Sequence, residues 1–211
     1  MSLFKKLGKI FGGEKESVSP PPRRQPTPEE REATYIAAIE AERAQKESFF
    51  KLSPYSPIDP EARLNFPGLN HYPVNPALRF TLPLDAVERE EIIIQTNTGN
   101  EQPFYRLGTV TFEIDGESAT LAVYQGVENA ELFIPFKDTT NGTETYGAGR
   151  YLEPTALADG QIDVDFNLAY NPYCAYSENY VCPLPPMENW LKVPIRAGEM
   201  AFKAQPQTDP E

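Results

Sequence analysis

The sequence predicts a mainly β fold, an antiparallel barrel or sandwich preceded by one N-terminal α-helix. Three observations carry this prediction. The 22 Pro and 13 Gly residues are spread through aromatic sequence, so they punctuate short segments and do not sustain long helices or repeats. With 40% hydrophobic residues, including 12 Phe and 11 Tyr among 211 positions, the chain has the apolar material for one domain core with an appendage. Several short runs then alternate apolar and polar side chains at the period of a half-buried strand.

Taken in order, residues 1–26 read as a basic amphipathic tail and Pro-rich spacer. Leu3, Phe4, Leu7, Ile10 and Phe11 make an apolar stripe on a helix, flanked by Lys5, Lys6 and Lys9. Such a segment suits reversible contact with an anionic membrane surface through residues 1–13, and a disordered tail and a helix that docks on a partner are the other readings. Three consecutive prolines at 20–22 make the next stretch an extended spacer. Residues 27–52 read as a helix packed on the domain. Thr27-Pro28-Glu29-Glu30 supplies a capping hydroxyl, proline at the first helical position and glutamate at the third. Tyr35, Ile36, Ile39, Phe49 and Phe50 mark its docking stripe, and Glu42/Lys46 and Arg43/Glu47 are i,i+4 pairs.

Residues 53–204 read as the β domain, with 205–211 a C-terminal tail. Prolines recurring through 53–83 predict a wrapped connection without central strands. The clearest hairpin turns at Asp115-Gly116, a preferred two-residue type I′ pair. Pairing across it sets Phe112 opposite Ala119, Val110 opposite Leu121 and Thr111 opposite Thr120, giving one apolar and one polar face. Further strands are expected at 91–95, 131–136, 149–152, 162–166 and 192–195.

Charge bounds the function. Lys+Arg 19 against Asp+Glu 31 gives a net charge of −12, which argues against general nucleic-acid binding. Residues 1–24 are nevertheless basic at +4, leaving −16 for the remainder. The first 13 residues lack the uninterrupted apolar run of a secretory signal, and no later stretch approaches the roughly 20 apolar residues that span a bilayer, so the expected setting is cytoplasmic, with peripheral membrane contact one of the readings of the tail.

Three stretches could hold chemistry. In residues 136–151, Asn141-Gly142 signals a turn, and Gly147 and Gly149 leave space for backbone or ligand. No phosphate-loop ending is present. Asp138, Glu144 and Arg150 form either an ion-pair network or an anion site, since arginine serves both. In the second stretch Ile162, Val164 and Phe166 point one way and Asp163, Asp165 and Asn167 the other, lining one face with oxygen-bearing groups but lacking a calcium loop. The third holds Cys174 and Cys182, separated by seven residues. Reduced packing thiols, a disulfide and metal ligation with His71, the only histidine, all remain open. A single histidine without a nearby signature gives little support to a Ser-His-Asp or Cys-His mechanism.

These stretches closely resemble the uncharacterised prokaryotic family known as domain of unknown function 1684. The resemblance is carried by RLG at 106–108, LFIPFKD at 132–138, ETYGAGRYL at 144–152, DFNLAYNPYCAY at 165–176, CPLPPMEN at 182–189 and IRAGE at 195–199. It runs from near Glu29 to about Lys203 and implies a family without an established reaction or cofactor. The basic N-terminal extension lies outside it.

The resulting expectation is a pocket built from residues 138–189 for a small polar or anionic molecule. Arg150 is its charge partner, Tyr146, Tyr151 and Tyr176 its walls and donors, and Asp138, Asn167 and Asn171 further ligand contacts. If the protein turns over a substrate, Glu144 or Asp165 carries the proton. The rival class is a non-enzymatic interaction or structural protein tethered by its N-terminal amphipathic helix.

Overall fold

The computed structural model describes residues 24–129 and 131–202, so most of the expected basic tail and the C-terminal tail lie outside the described residues. Among the described residues the one α-helix, α1 (Pro28–Leu52), starts where the capping signal places it. Glu30 N–H donates to Thr27 Oγ1 at 3.2 Å, and the Glu30 carboxylate accepts the Thr27 N–H at 2.8 Å.

Among the described residues eight strands follow: β1 (Arg79–Pro83), β2 (Asp85–Gln95), β3 (Glu101–Ile114), β4 (Glu117–Gly126), β5 (Leu132–Phe136), β6 (Arg150–Leu152), β7 (Thr155–Ala156) and β8 (Gln161–Asp165). They form two antiparallel sheets, one ordered β2-β3-β4-β5-β6 and the other β1-β8-β7. Neither sheet closes on itself, so the fold is mainly β with two open sheets and not a closed barrel. One apolar core unites them: Val110, Phe112, Leu121 and Val123 from the larger sheet meet Ile162, Val164 and the adjoining Phe166.

The hairpin register is the one the turn dictates. Val110 pairs with Leu121, Thr111 with Thr120 and Phe112 with Ala119 around left-handed Asp115 and Gly116 (φ 52° and 80°). On the polar face the Thr111 and Thr120 hydroxyls lie 3.0 Å apart.

Two expectations are corrected. β1 occupies residues assigned to a connection; it is tolerated between Pro76 and Pro83 because it is the outer strand of its sheet. Residues 192–195 form no strand. Val193 and Ile195 point into the core while Lys192 is exposed, so the period of two is real, but the segment lacks a sheet ladder. Pro194 carries no N–H, and the Ile195 carbonyl bonds to a side chain instead.

The helix docks by polar bolts as much as by apolar contact. Ile39 and Phe50 are buried, whereas Phe49 lies toward solvent. The expected i,i+4 pairs give way to inward partners: Arg43 donates to the Tyr72 and Asn167 carbonyls, Lys46 pairs with Glu199 at 2.7 Å, and Glu47 accepts the Leu69 N–H. An inward partner shielded from water outweighs an exposed helical pair. Tyr35 closes the other end, its hydroxyl 3.0 and 2.8 Å from the two Asp165 carboxylate oxygens. Tyr35→Phe removes a hydrogen bond to a charged acceptor and is expected to cost about 1.5–3 kcal/mol, read as a lower urea midpoint with an unchanged slope.

Candidate functional site

The residues expected to form a site are held together, but chiefly by one another. Arg150 begins β6 with no exposed side-chain surface. Its Nη2 donates to Asp138 Oδ2 at 2.8 Å and to the Ile195 carbonyl at 2.7 Å; Nη1 donates to the Ala197 and Glu199 carbonyls at 2.6 and 3.0 Å. Of its two roles legible in the sequence, Arg150 therefore occupies that of ion-pair partner. Asp138 also accepts the Thr140 N–H, fixing the turn at Asn141-Gly142. The neighbouring Gly149 has φ 111°, and a Cβ there would come 2.5 Å from Pro185 and 2.8 Å from the Phe136 carbonyl, so backbone and proline fill the space it leaves.

Asp165 and Asn167 form a second knot. Asp165 accepts the Tyr35 hydroxyl and the Asn167 backbone N–H; the Asn167 side chain accepts from Asn75 N–H and donates to its carbonyl at 2.7 and 2.8 Å. This geometry fastens α1 and the 75–78 turn to the end of β8. Glu144 lies nearer the surface, where Arg196 and then the Tyr72 hydroxyl hold its carboxyl below the usual range. A carboxylate so stabilised is a poor proton donor at neutral pH.

Asn171 and Tyr176 converge on a residue the sequence did not single out for the site, Glu199. Its Oε2 accepts the Asn171 N–H at 2.6 Å and the Tyr176 hydroxyl at 2.7 Å, while Oε1 pairs with Lys46. The lone histidine, His71, lies 3.8 Å from the same carboxylate, and burial pushes its pKa below the ordinary value. Among the described residues no group of three or more His, Cys, Asp or Glu side chains is arranged to hold a metal ion.

The open space lies beside this network. A pocket of about 680 Å³ separates α1 from the loop that follows β8. Glu42, Gln45, Lys46, Phe49 and Phe50 supply one wall. Tyr170, Pro172, Tyr173, Tyr180 and Val181 supply the other, with Tyr151, Glu153, Cys182 and Pro183 completing it. Of the residues expected to bind ligand, Tyr151 lines the pocket directly, its hydroxyl donating to the Pro183 carbonyl. Tyr176 stands behind it, edge-on to Phe50 with ring centroids 4.9 Å apart, and Tyr146 reaches the Cys174 sulfur at 3.8 Å. Lys46 lies over the Phe50 and Tyr170 rings at 5.4 and 4.8 Å. The helix wall was missed because its exposed acids and amides look like an ordinary solvated face.

Both cysteines are free thiols, and Cys182 lines the pocket. Cys174 foremost brings the Cys182 thiol down to about 6, whereas Cys182 and burial push the Cys174 thiol up. The Cys182 backbone is fixed in turn by the β2–β3 turn: its N–H donates to Asn97 Oδ1 at 2.8 Å and its carbonyl accepts the Asn97 N–H at 3.0 Å.

Comparison with known proteins adds a fold relative and no reaction. A family model described as Protein of unknown function (DUF1684) matches residues 64–200, leaving α1 outside the match. The solution NMR structure of an uncharacterized protein of Haloarcula marismortui is 37% identical, covering 82% of this chain and 97% of that one, with a TM-score of 0.62. No curated protein matches the chain. Among the described residues no helix is long and apolar enough to cross a membrane.

Proposed function

We propose, for a chain that belongs to the DUF1684 family and inherits no assigned reaction from it, that the protein binds a small polar molecule with a flat or apolar body in the pocket between α1 and the 170–183 loop. The observation that carries this reading is the meeting of Phe49, Phe50, Tyr151, Tyr170, Tyr173 and Tyr180 around one open volume, with few polar groups among them. Rings on facing walls suit a flat body, and the polar groups fix its orientation.

The charges favour a neutral or cationic head over an anion. Arg150 is committed to Asp138 and three carbonyls, and Lys46 is neutralised by Glu199. Glu42 and Glu153 then give the lining negative charge, which together with the ring faces suits a protonated nitrogen. Acid–base turnover at Glu144 or Asp165 has less support, because both carboxylates are engaged in holding structure.

Benzylamine, benzyl alcohol and benzoate, alike in shape and different in charge, test the reading by amide and aromatic NMR shifts. The expected result is movement at Phe49, Tyr173 and Tyr180, with benzylamine binding at least tenfold tighter than benzoate and Glu153→Gln narrowing that gap. Benzoate binding tightest would overturn the charge assignment, and unmoved pocket resonances with all three would overturn the pocket.

One observation favours an interaction protein as the second reading: Leu52, Tyr55 and Leu64 are all strongly exposed at and beyond the C-terminal end of α1. The proposed amphipathic tether at residues 1–13 lies outside the described residues.

A further inference from the structure

A second cavity, of about 220 Å³, borders the aromatic pocket and shares four of its lining residues, Tyr151, Glu153, Tyr170 and Pro183. Alone it is smaller than the roughly 300 Å³ at which ligand sites usually begin, so its value lies in extending its neighbour. The aromatic surface runs on from one to the other. Phe104 stacks on Phe133 in the small cavity with ring centroids 5.5 Å apart, Phe133 meets Tyr151 edge-on at 4.8 Å, and Tyr151 meets Tyr170 edge-on at 5.8 Å. The polar groups along this run are mainly acceptors. Tyr151 donates its hydroxyl to the Pro183 carbonyl and Tyr170 donates to Glu153 Oε1, so neither shared phenol keeps a proton for an incoming anion. The Asn129 amide nitrogen turns onto Glu131 Oε2 at 3.4 Å.

Charge is distributed along the same run. Glu42 lines the large cavity, Glu131 the small one and Glu153 both, and among the described residues none of the three forms an ion pair. Lys46, the one basic residue lining either cavity, is spent on Glu199. We propose, building on the binding reading above, that the two cavities form one bipartite site for an arylalkyl diamine, with its aromatic body in the large cavity, one ammonium at Glu153 on the shared wall and the second beside Glu131 in the small cavity. Ring faces and carboxylates together suit both ammonium groups, and the alkyl spacer lies along the Tyr151 and Phe133 rings. A single-nitrogen ligand fills the first half only and leaves Glu131 without a partner.

The test titrates the full chain with benzylamine, with N-benzyl diamines whose spacers run from ethylene to hexamethylene, and with N-butylbenzylamine, which has a chain but no second nitrogen. Amide and aromatic NMR shifts report which cavity each compound enters. Benzylamine is expected to move Phe49, Tyr173 and Tyr180, which line the large cavity alone, and to leave Phe104 and Phe133 of the small one in place. The best diamine is expected to move both sets and to bind about tenfold tighter than N-butylbenzylamine. Glu131 is exposed, so E131Q removes its charge without disturbing the core, and it is expected to erase most of that tenfold gain. Diamines that bind no tighter than N-butylbenzylamine, or that leave Phe104 and Phe133 unmoved, overturn the bipartite site while benzylamine binding keeps the pocket reading intact. Large-cavity resonances unmoved by every compound overturn both.

Discussion

Replacing Arg150 by glutamine is expected to lower the unfolding free energy by about 3–5 kcal/mol, among the larger losses a single substitution produces. The loss has two sources. Asp138 is left as a buried carboxylate without its cation, and the Ile195, Ala197 and Glu199 carbonyls lose charged donors. A shorter neutral side chain cannot span four acceptors set around one guanidinium, so the burial that now shields a satisfied ion pair would instead isolate unsatisfied groups. The exposed pair provides the control: Arg79 and Asp163 lie 2.7 Å apart, against 2.8 Å for Arg150 and Asp138, yet Arg79→Gln is expected to cost less than about 1 kcal/mol, because water replaces the lost partner. Urea unfolding of both variants decides the matter. Similar small losses would mean that the buried network relaxes around the gap and does not depend on Arg150.

Gly198→Ala is the second large effect, at about 2–4 kcal/mol. Gly198 has φ 74°, and a Cβ there would fall 2.5 Å from the Ala169 carbonyl oxygen and 2.8 Å from that of Phe166. The obstructing atoms are mostly backbone and cannot swing aside, so the 195–199 segment itself must move, taking Glu199 away from Lys46 and Tyr176. Gly142→Ala separates this clash from the cost of a left-handed backbone. Gly142 has φ 82° with nothing within 4 Å of its added Cβ, and the expected loss is about 1 kcal/mol. Equal melting temperatures for the two variants would remove the steric argument.

Features fixed by neighbouring residues were the legible ones. Thr27 to Glu30 contain the whole N-cap, and Asp115-Gly116 dictates both a turn and the register beyond it. Alternation through Ile162, Val164 and Phe166 likewise predicted the buried face of β8 and its continuation. The role of Arg150 was open because three of its acceptors are backbone carbonyls 45–49 residues away, and a carbonyl belongs to every residue type. The same limit applied to Asp165, whose hydroxyl partner Tyr35 lies 130 residues earlier. The pocket was half legible: its loop wall is dense in tyrosine and proline, but the helix wall depends on which face of α1 turns inward. Seven-residue cysteine spacing could not choose between free thiols and a disulfide, because the decision rests on how the intervening loop folds back.

The long-range bolts of α1 also set an order of assembly. Tyr35, Arg43 and Lys46 find their partners at Asp165, Asn167 and Glu199, near the opposite end of the chain. During synthesis the helix emerges first and must wait until residue 199 is available before it can dock. Most of a protein helix's stability comes from tertiary packing, and Ile39 and Phe50 remain uncovered throughout the wait. Closing so long a loop adds entropy to that delay, so α1 docking is expected to be a late event in folding. The aromatic pocket, whose wall is this helix, would then be completed only when the two ends of the domain meet.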